Sequence, residues 1–209
     1  MAREQTLEKK LEQVKWQFPN HVVFKHNGKV FHFDPDNFDR DNIFTQTGLK
    51  VYRGAGNVAL YDPEYFKVND GGDLIYRGIA TEKIPQPINL KRFAWMFYKC
   101  TCETIDLSDW DFSEITSMRY MFAECVTKTV ILGDVDFSKC ESFYGWFFDC
   151  MELQEVVLGN YKVLSKDNIR AMFHGCDKLF EKYNKTKVEL ANIFKSGQWN
   201  SLQTRMEVF

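Results

Sequence analysis

The sequence lacks long hydrophobic runs. No stretch of its 209 residues approaches the roughly 18 consecutive apolar residues that a membrane-spanning helix needs. Its first ten residues, MAREQTLEKK, also lack the apolar core of a secretory signal peptide. We therefore expect a cytoplasmic protein that does not associate with membranes.

Cysteine is also scarce, since six in 209 residues are too few for a disulfide scaffold. Cys100 and Cys102 form a C-x-C pair and Cys140 replaces an aliphatic residue, so neither resembles half of a zinc site. We expect reduced thiols that pack as small apolar residues.

The sequence offers no recognisable catalytic or cofactor-binding set. The glycine-rich stretches 54–56 and 71–72 lack the lysine and the following helix of a phosphate loop, so we interpret them as turns. Four potential metal ligands cluster near one predicted hairpin, which is too few to define a site: His21, His26, His32 and Asp34. No histidine-supported nucleophile can be assembled. We predict a protein that is not an enzyme and binds neither metal nor cofactor.

The first 84 residues are typical of a small antiparallel β-rich domain with an N-terminal helix. Apolar residues at helical spacing predict a helix over residues 4–16. Asn27-Gly28 between two alternating apolar runs, within residues 22–33, predicts a hairpin because both turn positions favour positive φ. Further short strands are predicted at residues 49–52, 58–61 and 74–76.

The second half of the chain is repetitive. Four similar segments, MFYKC, MFAEC, WFFDC and MFHGC, end at cysteines that are 25, 25 and 26 residues apart, namely Cys100, Cys125, Cys150 and Cys176. Met118, Met121, Phe122 and Cys125 have the spacing of one helical face, so each unit is predicted to contain one short strand and one short helix.

Residues 105–125, IDLSDWDFSEITSMRYMFAEC, resemble the leucine-rich repeat of BspA-like (bacterial surface antigen type) proteins. The resemblance covers about residues 88–180 and implies a solenoid that binds other proteins, often on bacterial or protist surfaces. The predicted fold class is thus α+β, with three parts: residues 1–84 as the N-terminal domain and linker, 85–180 as a leucine-rich-repeat solenoid, and 181–209 as a C-terminal cap with a helix at 188–194.

Charge is unevenly distributed, because residues 101–160 contain twelve acidic and three basic residues although the whole chain has a net charge of −2. A segment of this sign would repel phosphates, so direct nucleic-acid binding is not expected. In the Asp-rich turns we favour a partner-binding acidic surface over a catalytic carboxylate pair or a calcium site. The aromatic residues expected to reach the surface as anchors are Trp95, Trp110, Tyr120 and Tyr144.

These observations predict a non-enzymatic protein-binding module whose partner has a basic surface. A sharper hypothesis is an intracellular inhibitor of a nucleic-acid-handling enzyme, such as a phage-encoded anti-defence (anti-CRISPR type) protein. The alternative, from the repeat resemblance, is a surface or secreted adhesin. The candidate partner-binding residues are Asp106, Asp109, Trp110, Asp111, Glu114, Asp134 and Asp136.

Overall fold

The structure is a computed structural model that describes residues 2–54, 57–163 and 168–203. The chain divides into two compact units, Met1–Pro63 with Pro87–Leu90, and Glu64–Gln86 with Lys91–Phe209. Within the described residues, no helix is long and apolar enough to cross a membrane. Ala55, Gly56 and the last six residues of the predicted C-terminal cap lie outside the described residues.

The described residues of the first unit form two antiparallel strand pairs and two helices. Its elements in chain order are α1 (Ala2–Gln17), β1 (Val22–His26), β2 (Lys29–Phe33), α2 (Arg40–Thr47), β3 (Lys50–Gly54) and β4 (Asn57–Tyr61). The predicted N-terminal helix is confirmed as α1. The Asn27-Gly28 hairpin is also confirmed, since both residues have positive φ (47° and 70°) between antiparallel β1 and β2.

Helix α2 was not predicted, although both of its ends carry recognisable signals. The Asp39 carboxylate accepts hydrogen bonds from the backbone amides of Asp41 and Asn42, which caps the first turn. Gly48 ends the helix in the left-handed region at φ 73°. The helix packs Ile43 into a small core with Phe24 and Phe33.

The described residues of the second unit form one antiparallel hairpin, one parallel sheet and three helices. Its elements are β5 (Phe66–Val68), β6 (Leu74–Tyr76), β7 (Thr104–Asp106), β8 (Thr129–Phe137), β9 (Glu155–Val163), α3 (Asp177–Tyr183), α4 (Lys187–Lys195) and α5 (Asn200–Gln203). Strands β7, β8 and β9 pair in parallel in that order. The helix predicted at residues 188–194 is confirmed as α4.

The prediction of a leucine-rich-repeat solenoid with one short helix per unit is wrong. The described residues instead form an α+β fold with small antiparallel sheets and one three-stranded parallel sheet. The four repeated segments, residues 93–100, 118–125, 143–150 and 169–176, are successive tight turns, which we call the turn ladder. Each contains two residues with positive φ four positions apart: Trp95 and Lys99, Tyr120 and Glu124, Gly145 and Asp149, Ala171 and Gly175.

Positive φ at every fourth residue excludes an α-helix, because left-handed residues break its hydrogen-bond series. Alternate backbone amides donate to the next segment instead. Those of Tyr120, Phe122 and Glu124 lie 3.0, 3.0 and 2.7 Å from the carbonyl oxygens of residues 144, 146 and 148. Positions spaced i, i+3, i+4 and i+7 face the interior in these turns, as they would in a helix of 3.6 residues per turn. Met118, Met121, Phe122 and Cys125 are therefore all buried, as the spacing predicts.

The interior of the turn ladder is a stack of phenylalanine rings. Centroids of neighbouring rings are 5.3, 5.0 and 5.6 Å apart, and the rings are within 16° of parallel, along Phe97, Phe122, Phe147 and Phe173. Trp199, next to α5, extends the stack at 5.4 Å and is fully buried. Ring pairs of this geometry stabilise a core beyond the area that they bury.

The repeated cysteines connect the segments. The thiols of Cys125, Cys150 and Cys176 donate hydrogen bonds of 2.7, 2.8 and 3.0 Å to the carbonyl oxygens of residues 97, 122 and 147. Burial raises the pKa of Cys125 and of Cys176, so these donors keep their protons, and it raises the pKa of the Cys100 thiol to about 12. All six cysteines are free, as expected for packed thiols.

Replacement of Ala171 by glycine tests the turn conformation. Ala171 has φ 55°, a region that costs a non-glycine residue roughly 1–2 kcal/mol. Ala171→Gly should therefore raise the free energy of unfolding by about 0.5–1 kcal/mol in urea denaturation, whereas glycine in a helix would lower it by about 1 kcal/mol.

The matched control is Ala123→Gly, at a buried position of the second segment of the turn ladder, where φ is not positive. This change should destabilise the protein by about 1 kcal/mol. If both substitutions were destabilising, the left-handed assignment of Ala171 would be contradicted.

Candidate interaction surfaces

The predicted acidic residues are brought together along the parallel sheet. Asp106 ends β7, while Asp134 and Asp136 lie in β8, and the strand register places equivalent residues of successive repeats side by side. Asp109 and Asp111 follow β7 and are exposed. We call Asp106, Asp109, Asp111, Asp134 and Asp136 the acidic surface.

Trp110 does not belong to this surface, so its assignment as an exposed anchor is corrected. It is only 5% exposed and packs edge-on against Phe93 at a centroid distance of 5.4 Å. Its indole Nε1 donates a 2.7 Å hydrogen bond to the carbonyl oxygen of Ile84. Trp110 lies between Asp109 and Asp111 in the sequence, and successive side chains of an extended chain point to opposite sides. The indole therefore points into the core while the two carboxylates face outward.

Part of the acidic charge is neutralised within the chain. The Lys83 ammonium lies 3.5 Å from the Asp106 carboxylate and 3.2 Å from that of Asp109, and Lys162 lies 3.7 Å from Asp136. Glu114, the remaining predicted acidic residue, pairs with Lys139. The acidic surface thus has five carboxylates and two lysines.

Asp111 and Asp134 bind backbone amides rather than lysines. The Oδ1 of Asp111 accepts a 2.9 Å hydrogen bond from the amide of Ser113, and that of Asp134 accepts a 2.7 Å bond from Asn160. Both side chains belong to exposed residues. They are the acidic-surface carboxylates for which the described residues provide no cationic partner.

Hydrogen bonds keep two carboxyls of the acidic surface ionised. Those from Ser138 hold the pKa of Asp136 below its usual value. Burial acts to raise the pKa of Asp106, but hydrogen bonds from Ser108 and the charge of Lys83 outweigh it, so this pKa is also lowered.

Ion pairs also join residues at equivalent positions of successive repeats. Lys128 lies 2.8 Å from Glu103, and Lys99 lies 3.4 Å from Glu124. Each pair is 25 residues apart, like that of Glu114 with Lys139. Exposed pairs of this kind contribute little stability, about 0–1 kcal/mol each, but they reduce the charge available to a partner.

A second surface runs along the outside of the turn ladder. It consists of five half-buried aromatic residues and one exposed histidine, which we call the aromatic row: Trp95, Tyr98, Tyr120, Tyr144, Phe148 and His174. Three of the four aromatic residues predicted to reach the surface, Trp95, Tyr120 and Tyr144, are members. Tyr98, Phe148 and His174 share one column of the repeat, which is the sequence signal that could have identified them.

The rings of the aromatic row are in continuous contact across all four segments. Trp95 stacks on Tyr120 at 4.3 Å and 11°, and Phe148 stacks on His174 at 4.8 Å and 9°. Tyr120 joins these pairs through edge contacts with Tyr144 at 5.2 Å and Phe148 at 5.9 Å. The row is a single connected surface of rings.

Neighbouring groups fix the orientation of these rings. The Arg119 guanidinium lies 5.4 Å from the centre of the Tyr144 ring, within cation–π range. A hydrogen bond to the Tyr144 hydroxyl raises the pKa of Tyr120. A Cβ at Gly145 would lie 2.5 Å from Cε1 of Tyr120, so glycine leaves the space in which this ring sits.

The predicted histidine cluster is only partly assembled. His21 and His32 meet with their Nδ1 atoms 2.9 Å apart, and Phe18 stacks on His32 at 4.2 Å. His26 instead donates from Nε2 to the carbonyl oxygen of Thr47 at 2.8 Å. Among the described residues, no group of three or more His, Cys, Asp or Glu residues is placed to hold a metal ion.

Residues 91–204, more than half of the chain, match the DUF285 family, described as Mycoplasma protein of unknown function. The chain belongs to the DUF285 family. The expected membership in the BspA-like leucine-rich-repeat family is therefore wrong. No curated protein and no solved structure matches the chain. The DUF285 match includes the turn ladder, the parallel sheet and α3–α5, and with them every residue of the aromatic row and of the acidic surface.

Trp110→Phe tests the core assignment of this residue. The substitution removes the indole donor and leaves the buried carbonyl of Ile84 without it, so the free energy of unfolding should fall by about 1–3 kcal/mol. Trp95→Phe, at a half-buried position, should change it by less than about 0.5 kcal/mol. Equal losses of unfolding free energy for the two variants in urea denaturation would contradict the assignment of Trp110 to the core.

Proposed function

We propose that this DUF285 chain is a non-enzymatic protein-binding module that engages its partner through the aromatic row. The observation that carries the proposal is the unbroken contact of six partly exposed rings, flanked by Arg119 and Arg170. Tryptophan, tyrosine and arginine are the residues that most often dominate the binding energy of protein interfaces. A row of this composition suits an extended protein partner.

The rigidity of the row strengthens the proposal. Each aromatic side chain is already held by a neighbouring ring, and the backbone beneath it is fixed by hydrogen bonds between segments. Little conformational freedom therefore remains to be lost when a partner binds, and preorganisation of this kind increases affinity.

The six free thiols support a reducing compartment, so the proposed place of action is the cytoplasm.

Site-specific photo-crosslinking tests the aromatic row. A photoreactive phenylalanine analogue would replace Tyr144 or Phe148, and the adducts formed in the source cells would be identified by mass spectrometry. The proposal predicts one recurrent protein partner at both positions.

Matched controls place the same analogue at Val68 and Trp16, which are 43% and 84% exposed and lie outside the row. They should give no adduct with that partner. An identical set of adducts at the controls, or none at the row, would contradict binding through this surface.

The acidic surface supports a second candidate function, capture of a partner with a basic surface. The observation that favours this function is charge, because the acidic surface has five carboxylates and two lysines. Asp111 and Asp134 are oriented by backbone amides alone. The nucleic-acid-handling enzyme proposed as a target of inhibition, in an anti-defence (anti-CRISPR type) role, would present such a surface. The adhesin alternative rested on the BspA-like resemblance and loses that support.

Charge reversal tests the acidic surface against the partner found by crosslinking. Asp111→Lys with Asp134→Lys should slow association on the order of tenfold at low ionic strength, and the difference should disappear at high salt. The control Asp36→Lys with Asp70→Lys makes the same charge change at exposed residues elsewhere. If both pairs of substitutions slowed association equally, the acidic surface would have no specific role.

A further inference from the structure

An apolar groove lies at the end of the aromatic row, between residues 169–174 and helix α4. Its volume is about 370 Å³. Buried Met172 and Phe173 form part of its lining, together with Ile169, Val188 and Ala191. His174 belongs both to the aromatic row and to the groove, so the two features form one continuous surface.

Helix α4 holds an exposed apolar residue in this groove. Leu190 and Phe194 face the core, which leaves Val188 61% exposed on the first turn. A capping box fixes that turn, because the Thr186 hydroxyl accepts from the amide of Glu189 while the Glu189 carboxylate accepts from the amide of Thr186. Val188 is therefore part of a rigid wall.

The lysine and arginine that line the groove, Arg170 and Lys187, lie in a part of the chain with more basic than acidic residues. Residues 168–203 contain six lysines and arginines but three acidic residues. Lys178, Lys182 and Lys185 are paired with glutamates. Arg170 and Lys187, both lining the groove, have no carboxylate within 4.0 Å in the described ranges.

His174 adds a further polar group to this groove. Its Nδ1 lies 3.0 Å from Oδ1 of Asp149, a carboxylate of the preceding repeat. The Asp149 carboxylate is therefore already bound to an imidazole. Its negative charge offsets part of the positive charge only at the His174 end of the groove. Arg170 and Lys187 remain to receive a ligand with negative charge.

We propose that this groove binds an acidic segment of a partner protein, in which an apolar side chain is flanked by aspartate or glutamate. The apolar side chain contacts Val188 and Ile169, while the carboxylates face Arg170 and Lys187. This inference rests on the proposed function, since it names the chemistry of the segment that the same surface receives. A phosphate chain would match these two cations but would leave the apolar walls in contact with water.

Fluorescence anisotropy of the full chain with synthetic peptides tests the groove. The probe is a fluorescein-labelled pool of ten-residue peptides that carry leucine or phenylalanine among aspartates and glutamates. One comparison pool replaces the acidic residues by lysine, and another replaces the apolar residues by serine. The first pool should bind at least ten times more tightly than either comparison pool.

Two matched pairs of variants locate the binding. Val188→Glu should weaken binding of the acidic pool at least tenfold, while Val126→Glu, at a valine that is 50% exposed outside the groove, should change it less than twofold. Lys187→Glu should weaken it similarly, whereas Lys195→Glu at the other end of α4 should not. An acidic residue in the first turn favours the helix dipole, so loss of binding in Lys187→Glu would not reflect unfolding.

Three results would overturn the proposal: equal binding of the three pools, no effect of Val188→Glu, or tighter binding of a fifteen-nucleotide oligothymidine that Val188→Glu leaves unchanged. Failure of the groove proposal can be distinguished from failure of the proposed function. Crosslinks from the aromatic row without peptide preference would refute the groove alone. Peptide binding without any partner adduct at the row would refute the proposed function alone.

Discussion

The hydrogen bonds between successive turn segments are the constraint on which the second unit depends. Each segment donates from alternate amides to the carbonyl oxygens of the next, and this is possible because one residue in four lies in the left-handed region. The same geometry places the phenylalanines in a stack and brings the thiols of Cys125, Cys150 and Cys176 to carbonyls of the preceding segment. Backbone pairing, ring stacking and the cysteine column are thus consequences of one arrangement.

That arrangement also determines what reaches the surface. Equivalent positions of neighbouring segments lie side by side, so rings at these positions stack into the aromatic row and opposite charges pair across 25 residues. The inward-facing positions of the segments are occupied mainly by methionine, phenylalanine and cysteine, with Trp146 in place of methionine in the third segment. In the proposed function, recognition is therefore left to the outward positions, where residues such as Tyr144 and Arg119 differ from one segment to the next.

The repeat, its buried columns, the Asn27-Gly28 hairpin and two helices could be predicted because each depends on local spacing. The turn conformation could not, since Met118, Met121 and Phe122 have the same spacing in a helix and in four-residue turns. The carboxylates of the acidic surface could be predicted from the sequence, but their partial neutralisation could not. Lys83 comes from outside the repeats and Lys162 from a later strand, so the sequence does not place either lysine beside them. Trp110 was wrongly assigned to the surface because its flanking aspartates indicate an exposed turn. Side chains alternate along this stretch, so the ring between the two aspartates is buried.

The amides of Met121, Ala123 and Cys125 close tight turns within their own segment. Donation from the alternate amides to the next segment is what distinguishes the turn ladder from a helix. Scalar coupling through hydrogen bonds, measured by NMR between amide nitrogens and carbonyl carbons, tests it most directly. We expect a coupling from the amide of Phe122 to the carbonyl of Trp146, whose nitrogen and oxygen lie 3.0 Å apart in the turn ladder. A coupling from Phe122 to the carbonyl of Met118 instead would identify an α-helix and contradict the bonding between segments.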